Sequence, residues 1–260
     1  MQALHFKPTL GLLFIGTALL LPAIAQAQKL PNVQKAAVYA AGPIKIDGKA
    51  VELNHKFQAY NKATDCFYTL SNDDTNLYLT VQIRISQVVV KAIGGGITLR
   101  ISQGKDKNDS SAIQLTFPSL AGNHVDLTNR FYGQGKVLRE SKDKDIDITD
   151  LNRALSLITK TMKVQGFDSG TEESRSVYNE EGIKVAAAFD PQLYYTYELQ
   201  LPLKHVKALR NGAKSFKYNL QVNPPESKPY EPGGPPPPPV EPIAASTTDF
   251  WGEYILAKKP

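Results

Sequence analysis

The sequence predicts an all-β protein, an antiparallel β-sandwich of jelly-roll type. Three observations predict it. Apolar residues recur at every second position in six separate segments, a spacing that only an extended chain sorts onto one face. Asn, Asp, Gly and Ser punctuate the gaps between those segments. Helical spacing is confined to one or two short turns.

The elements follow in chain order. Cys66, Tyr68 and Leu70 share one face of an extended segment. The polar run Ser71-Asn72-Asp73-Asp74-Thr75-Asn76 then turns the chain. Leu77, Leu79, Val81, Ile83 and Ile85 alternate with Tyr78, Thr80, Gln82 and Arg84. Gly94-Gly95-Gly96 reads as a flexible approach to the next strand, which carries Ile97, Leu99 and Ile101. Ile113, Leu115 and Phe117 repeat the pattern after a polar loop at 104–111. The mixed-charge stretch 139–147 reads as an exposed excursion. A short helix is expected at 150–158, before a strand through Met162, Val164 and Phe167, and another helical turn at 205–210. Three more alternating runs follow: Ile183 to Phe189, Tyr195 to Leu203, and Phe216 to Val222. A last strand is expected at 250–256. Such runs, apolar on one side and polar on the other, suit sheets with one face on a core and one in water.

The first 27 residues read as an address rather than as fold. Lys7 precedes an almost wholly apolar run at 10–25, and Ala25-Gln26-Ala27 fits a small-residue cleavage rule. This is the pattern of a secretory signal peptide and is too short for a membrane span. The expected mature chain is therefore 28–260, secreted or periplasmic, with no transmembrane segment after cleavage. It is expected to form a single β-sandwich domain. The proline-rich stretch 224–242, which holds ten of the 18 prolines, reads as a stiff loop inserted before the last strand. It is also the natural place for a protein partner to bind.

Composition narrows the function. The formal charge is +5, but acidic and basic residues are interleaved and form no Lys/Arg block of the kind that binds nucleic acid. The lone Cys66 makes no intramolecular disulfide and reads as a small buried hydrophobe. No Gly-x-Ser-x-Gly, His-Glu-x-x-His or phosphate-loop motif is present. His55, His124 and His205 lack metal-ligand spacing. Asp73 and Asp74, flanked by Asn72 and Asn76, are the one weak candidate set for calcium, which prefers oxygen ligands. Otherwise no cofactor is expected.

Several segments together resemble the family 9 carbohydrate-binding modules and the DOMON-like β-sandwich domains. Pro43-Ile44-Lys45-Ile46-Asp47-Gly48-Lys49 is similar to the opening strand and Ile-Asp-Gly turn of those domains. Residues 71–79 are similar to the hairpin that follows, and 182–190 and 197–203 to later paired strands. The resemblance implies a β-sandwich and a carbohydrate or other extracellular ligand. In sugar-binding members two tryptophans clamp the sugar; this chain has one, Trp251. Haem-binding relatives use axial Met and His, and after cleavage only Met162 would remain.

The candidate ligand-binding residues are therefore Trp251 first, then Tyr254 and Tyr78, acting through aromatic stacking within a polar rim. Phe250, Gly252 and Tyr254 should share one strand face, with Trp251 and Glu253 on the other. The expected function is a non-catalytic carbohydrate-binding module. Two alternatives stay open: an envelope structural or protein-interaction domain, and a polysaccharide-active enzyme. Export with cleavage after Ala27 predicts that the N-terminal sequence of the exported protein starts at Gln28; retention of the apolar run in the mature protein would sink that expectation.

Overall fold

The period-two alternation becomes two antiparallel sheets. The computed structural model describes residues 29–54, 56–104, 109, 112–120, 124–142, 146–167, 171–225 and 246–260. The predicted signal segment 1–27, His55 and most of the proline-rich stretch lie outside the described residues. The first sheet has five strands: β1 (Ala59–Asn61), β2 (Cys66–Asn72), β3 (Asn76–Ile83), β8 (Lys184–Phe189) and β9 (Tyr195–Pro202). Its spatial order is β1-β2-β3-β9-β8. The second sheet has six: β4 (Ile97–Ser102), β5 (Ile113–Phe117), β6 (Thr161–Gln165), β7 (Glu173–Ser176), β10 (Ser215–Val222) and β11 (Thr248–Ile255). Its order is β11-β10-β4-β5-β6-β7. Every neighbouring pair is antiparallel.

The alternating apolar residues face inward and close one core between the sheets. Leu77, Leu79, Val81, Tyr197 and Leu199 from the first sheet meet Leu99, Ile101, Leu115, Phe117 and Leu220 from the second, all at 2% exposure or less. Such a face-to-face pair of sheets is a β-sandwich. Aromatic rings bridge the layers: Phe117 stacks on Tyr197 with centroids 5.8 Å apart, and Tyr68 lies 5.1 Å from Phe250. The buried hydroxyls of Tyr68 and Tyr218 satisfy each other across the gap at 2.8 Å.

The outer face of the first sheet is not in water, as simple alternation would have it. Thr69, Thr80, Gln82, Thr196 and Glu198 point outward yet are all buried. The chain before β1 reaches two of them: Gln58 N–H donates to Thr69 Oγ1 at 3.1 Å, and the turn at 47–50 lies on Glu198. Glu198 fastens this turn: its carboxylate accepts the backbone N–H groups of Asp47 (3.0 Å), Gly48 (2.8 Å) and Ala50 (3.2 Å). Burial pushes its carboxyl pKa up, opposed by those three donors. Gly48 sits at φ +79°, and a Cβ there would lie 2.5 Å from the backbone nitrogen of Ala188. Only glycine lets the Ile-Asp-Gly turn lie this flat on β8.

Side-chain amides cap the sheet edges. β1 pairs with β2 only as far as Tyr68. Beyond it, the Gln34 amide donates to Leu70 O at 2.7 Å and accepts Leu70 N–H at 2.7 Å. On the opposite edge Asn152 does the same for Phe189 of β8, at 2.9 and 2.7 Å. Both devices occupy peptide groups that would otherwise template another strand.

The structure has more helix than predicted. α3 (Thr149–Ile158) lies where a helix was expected. α1 (Ser86–Gly95) and α2 (Val125–Glu140) were not anticipated. β3 stops at Ile83, so Ile85 is the N-cap of α1 rather than a strand residue. The run Val88-Val89-Val90 has strand propensity, but Val88, Val89, Ala92 and Ile93 are buried on packing as a helix. Gly94 and Gly95 are not a flexible approach: they end α1 against 223–225, where a Cβ on Gly95 would meet Pro224 O at 2.1 Å. α2 was hidden by Gly133 and Gly135 and by a sparse apolar stripe, of which only Leu127 and Phe131 are buried. It occupies 125–140 and so includes the start of the stretch expected as an excursion. Phe131 stacks on Phe189 at 5.5 Å. Among the described residues no helix is long and apolar enough to cross a membrane.

The Glu198 anchor generates a stability prediction. Glu198→Ala leaves three N–H groups, two of them buried, without their acceptor and should cost about 3 kcal/mol. Glu198→Gln keeps one acceptor oxygen and should cost less. Urea unfolding reads both as shifts in midpoint; an alanine variant within about 0.5 kcal/mol of the wild type would refute the anchor.

Candidate functional site

On the outer face of the second sheet Thr98, Arg100, Ser102 and Asn219 are buried, while Gln114, Thr116, Lys163, Gln165, Gln221 and Trp251 around them are partly exposed. Antiparallel register arranges its outward side chains in rows. Trp251 lies opposite Asn219, Asn219 opposite Arg100, Arg100 opposite Gln114, and Gln114 opposite Gln165. A second row runs Asp249, Gln221, Thr98, Thr116 and Lys163. Thus one aromatic ring stands at the β11 edge of a field of hydrogen-bonding groups.

That field is ordered by its own contacts. Asn219 donates to Asp249 Oδ2 at 2.8 Å and to Phe250 O at 2.9 Å, and accepts from Gln221 Nε2. Gln114 donates to Gln165 Oε1 at 2.6 Å. The hydroxyls of Thr98 and Thr116 lie 2.6 Å apart, and Asn223 donates to Thr98 Oγ1 at 2.8 Å. Glu253 pairs with Lys217. Trp251 therefore sits between two cross-strand polar pairs, Asp249 with Asn219 and Glu253 with Lys217. Its indole is half-buried, so one part packs and another meets solvent.

A cavity of about 250 Å³ opens on the same face, beside Gln221. Thr98, Gln114, Thr116, Gln165, Gln221 and Asn223 line it, with Lys163 and Glu172 at its charged end. Neutral amides and hydroxyls predominate, and each carries donors and acceptors. This lining suits a neutral, polyhydroxylated ligand better than an ion.

The structure separates the three predicted aromatic residues. Trp251 lies on the outer face with Glu253, as the strand pattern predicts. Tyr254 faces the core at 2% exposure, its hydroxyl donating to Asn72 Oδ1 at 2.9 Å, and burial pushes its pKa up to about 12. Tyr78 lies on the outer face of the other sheet, nearly buried, with its hydroxyl donating to Asp73 Oδ2 at 2.6 Å. Neither shares a face with Trp251. The groups that do, such as Gln114, Gln165 and Gln221, were legible only as the polar half of each alternation, because which strands lie side by side is not a local property.

Asp73 and Asp74 sit in the β2–β3 turn. Asp73 accepts Thr75 N–H (2.7 Å), Asn76 N–H (2.6 Å), the Thr75 hydroxyl (3.0 Å) and the Tyr78 hydroxyl. These contacts describe a turn-forming aspartate. Among the described residues no three His, Cys, Asp or Glu side chains gather in a metal-binding group. Cys66 is fully buried, and burial pushes its thiol pKa up to about 12.

No protein-family model matches the chain, and no curated protein matches it. Among solved structures, one match is a family 9 carbohydrate-binding module from Caldicellulosiruptor kristjanssonii in complex with glucose. It shares 10% identity, covers 86% of this chain and 97% of that one, and has a TM-score of 0.39. At that distance the residues of this chain have to carry the functional reading.

The Asp73 turn predicts an acid dependence. Burial raises its pKa, but the hydrogen bonds from Tyr78, Thr75 and Asn76 outweigh it and hold the carboxyl down at about 2. Its unfolded value is higher, so the stability it adds is complete above about pH 5 and is lost as the pH falls toward 2. Allowing for its partial exposure, the loss is about 1–2 kcal/mol. Asp73→Asn should be less stable at pH 7 and should lose less stability between pH 5 and 2. Parallel slopes for the two proteins would contradict this account.

Proposed function

We propose that the protein is an exported, non-catalytic binding module that takes a neutral glycan on the outer face of its second sheet. Trp251 offers the stacking surface. Sugar C–H groups pack on an indole face, while hydroxyls need donors and acceptors nearby. The observation that carries the reading is the register of that face: Trp251 and the Gln221 side of the cavity stand on paired strands, linked beneath the surface by the buried Asn219, which contacts both Asp249 and Gln221. The paired amides and hydroxyls are held by one another, so little side-chain freedom is lost when a ligand replaces water. In this reading export puts the site where polysaccharides are met, and catalysis belongs to other proteins.

The test is a glycan array followed by calorimetry. Neutral oligosaccharides should be retained, and Trp251→Ala should weaken binding at least about tenfold. Gln114→Ala should also weaken it while leaving the circular dichroism spectrum unchanged. An array with no neutral glycan retained would sink the reading, and co-purification of a protein partner on the proline-rich stretch would then favour an interaction domain. Hydrolysis of a bound glycan would overturn the non-catalytic part.

A further inference from the structure

A second aromatic cluster lies on the far side of the sandwich, at the edge of the first sheet. Tyr60 of β1 is directly opposite Phe67 of β2, and their ring centroids are 4.6 Å apart. Phe57 closes the other side of Phe67 at 5.9 Å. Arg84, one residue past the end of β3, lays its guanidinium over this group. Its Cζ lies 4.1 Å from the Phe67 centroid and 4.9 Å from that of Tyr194. Its Nε donates to Gln82 Oε1 at 2.8 Å, and Gln82 in turn donates to Thr196 Oγ1 at 3.2 Å.

This arrangement is unusual for an exposed arginine. An exposed guanidinium on a long stem is ordinarily mobile, and immobilising it costs entropy on binding. Here two rings and one hydrogen bond already fix its plane, yet the residue stays exposed. Among the described residues no carboxylate lies within 4 Å of it as an ion pair. Asp65, the acid of the cluster, instead accepts the Tyr60 hydroxyl at 2.7 Å. Nε is used, which leaves the two terminal nitrogens as a fork. α1 begins two residues later without a side-chain cap.

We propose that Arg84 is a second binding site, one that takes the carboxylate of a hexuronate in an acidic polysaccharide. A planar fork matches a carboxylate in two parallel hydrogen bonds. The half-buried Tyr60 ring, packed against Phe67, forms an apolar floor for the C–H face of the sugar that carries that carboxylate. A free carboxylate would use the fork but not the floor; a neutral sugar would use the floor but not the fork. The site shares no residue with the Trp251 face and stands whether or not that face binds glycans.

The experiment is calorimetry of the full chain with oligogalacturonate and with the same oligosaccharide fully methyl-esterified. Acetate and inorganic phosphate serve as simple-anion probes. Oligogalacturonate should bind, and the ester, acetate and phosphate should bind at least about tenfold more weakly. Arg84→Lys keeps the charge but loses the fork, and should weaken oligogalacturonate at least about tenfold. Tyr60→Leu should weaken oligogalacturonate and leave acetate unchanged. A thermal melt of each variant confirms folding. Equal binding of the ester, undiminished binding by Arg84→Lys, or acetate binding as tight as oligogalacturonate would each overturn the proposal. These ligands differ from the neutral glycans that test Trp251, so the two readings fail separately.

Discussion

One buried carboxylate fixes the chain before β1 on the first sheet. Glu198 projects from a central strand of the first sheet to the side away from the core, where an ionised group would ordinarily reach water. It instead collects three backbone N–H groups from one turn. A carboxylate with several amide donors offsets much of its desolvation, and a turn with its amides pointing one way is a natural partner for it. The result is a fixed seam between a strand and the chain preceding the sandwich. That seam needs Gly48, because any Cβ would push the turn off β8.

The two faces of the sandwich differ. On the first sheet the outward threonines and glutamine are buried and serve packing and internal hydrogen bonds. The second sheet keeps part of its outward face open: Gln114, Thr116, Gln165 and Gln221 are partly exposed around a cavity and Trp251 stands at its edge, while Thr98, Arg100 and Asn219 between them are buried. At the edge of the first sheet an aromatic margin with a clamped arginine is left over.

The same economy appears at the edges and at the seam between layers. Gln34 and Asn152 replace missing strand neighbours with their side-chain amides. Asn72 holds the end of β11 by accepting Ala257 N–H at 2.8 Å and the Tyr254 hydroxyl. Lys91 of α1, almost fully buried, donates to Thr248 Oγ1 at 3.0 Å at the start of β11. Burial lowers the pKa of that ammonium group. Polar groups inside the protein are thus used where strands begin, end or lack a neighbour, which is where peptide groups would otherwise stay unpaired.

The sequence by itself determined nine of the eleven described strands and which side of each faces the core; the short β1 and β7 were not legible in it. A period of two is a local property, and it placed Leu77 to Ile83, Ile97 to Ile101 and Phe216 to Val222 correctly. It also put Trp251 and Tyr254 on opposite faces of β11. Tertiary structure decided the rest. Helix α1 forms from a β-branched run because burial at the end of the sandwich outweighs a propensity worth only tenths of a kcal/mol per residue. Glu198, Gln82 and Arg84 look alike in sequence, as polar residues between apolar ones. Their fates as a buried anchor, a buried bridge and an exposed fork depend on which distant segment lies over each. That depends on contacts between residues far apart in the chain, such as Asp47 with Glu198 at a separation of 151 positions, and no local pattern encodes them.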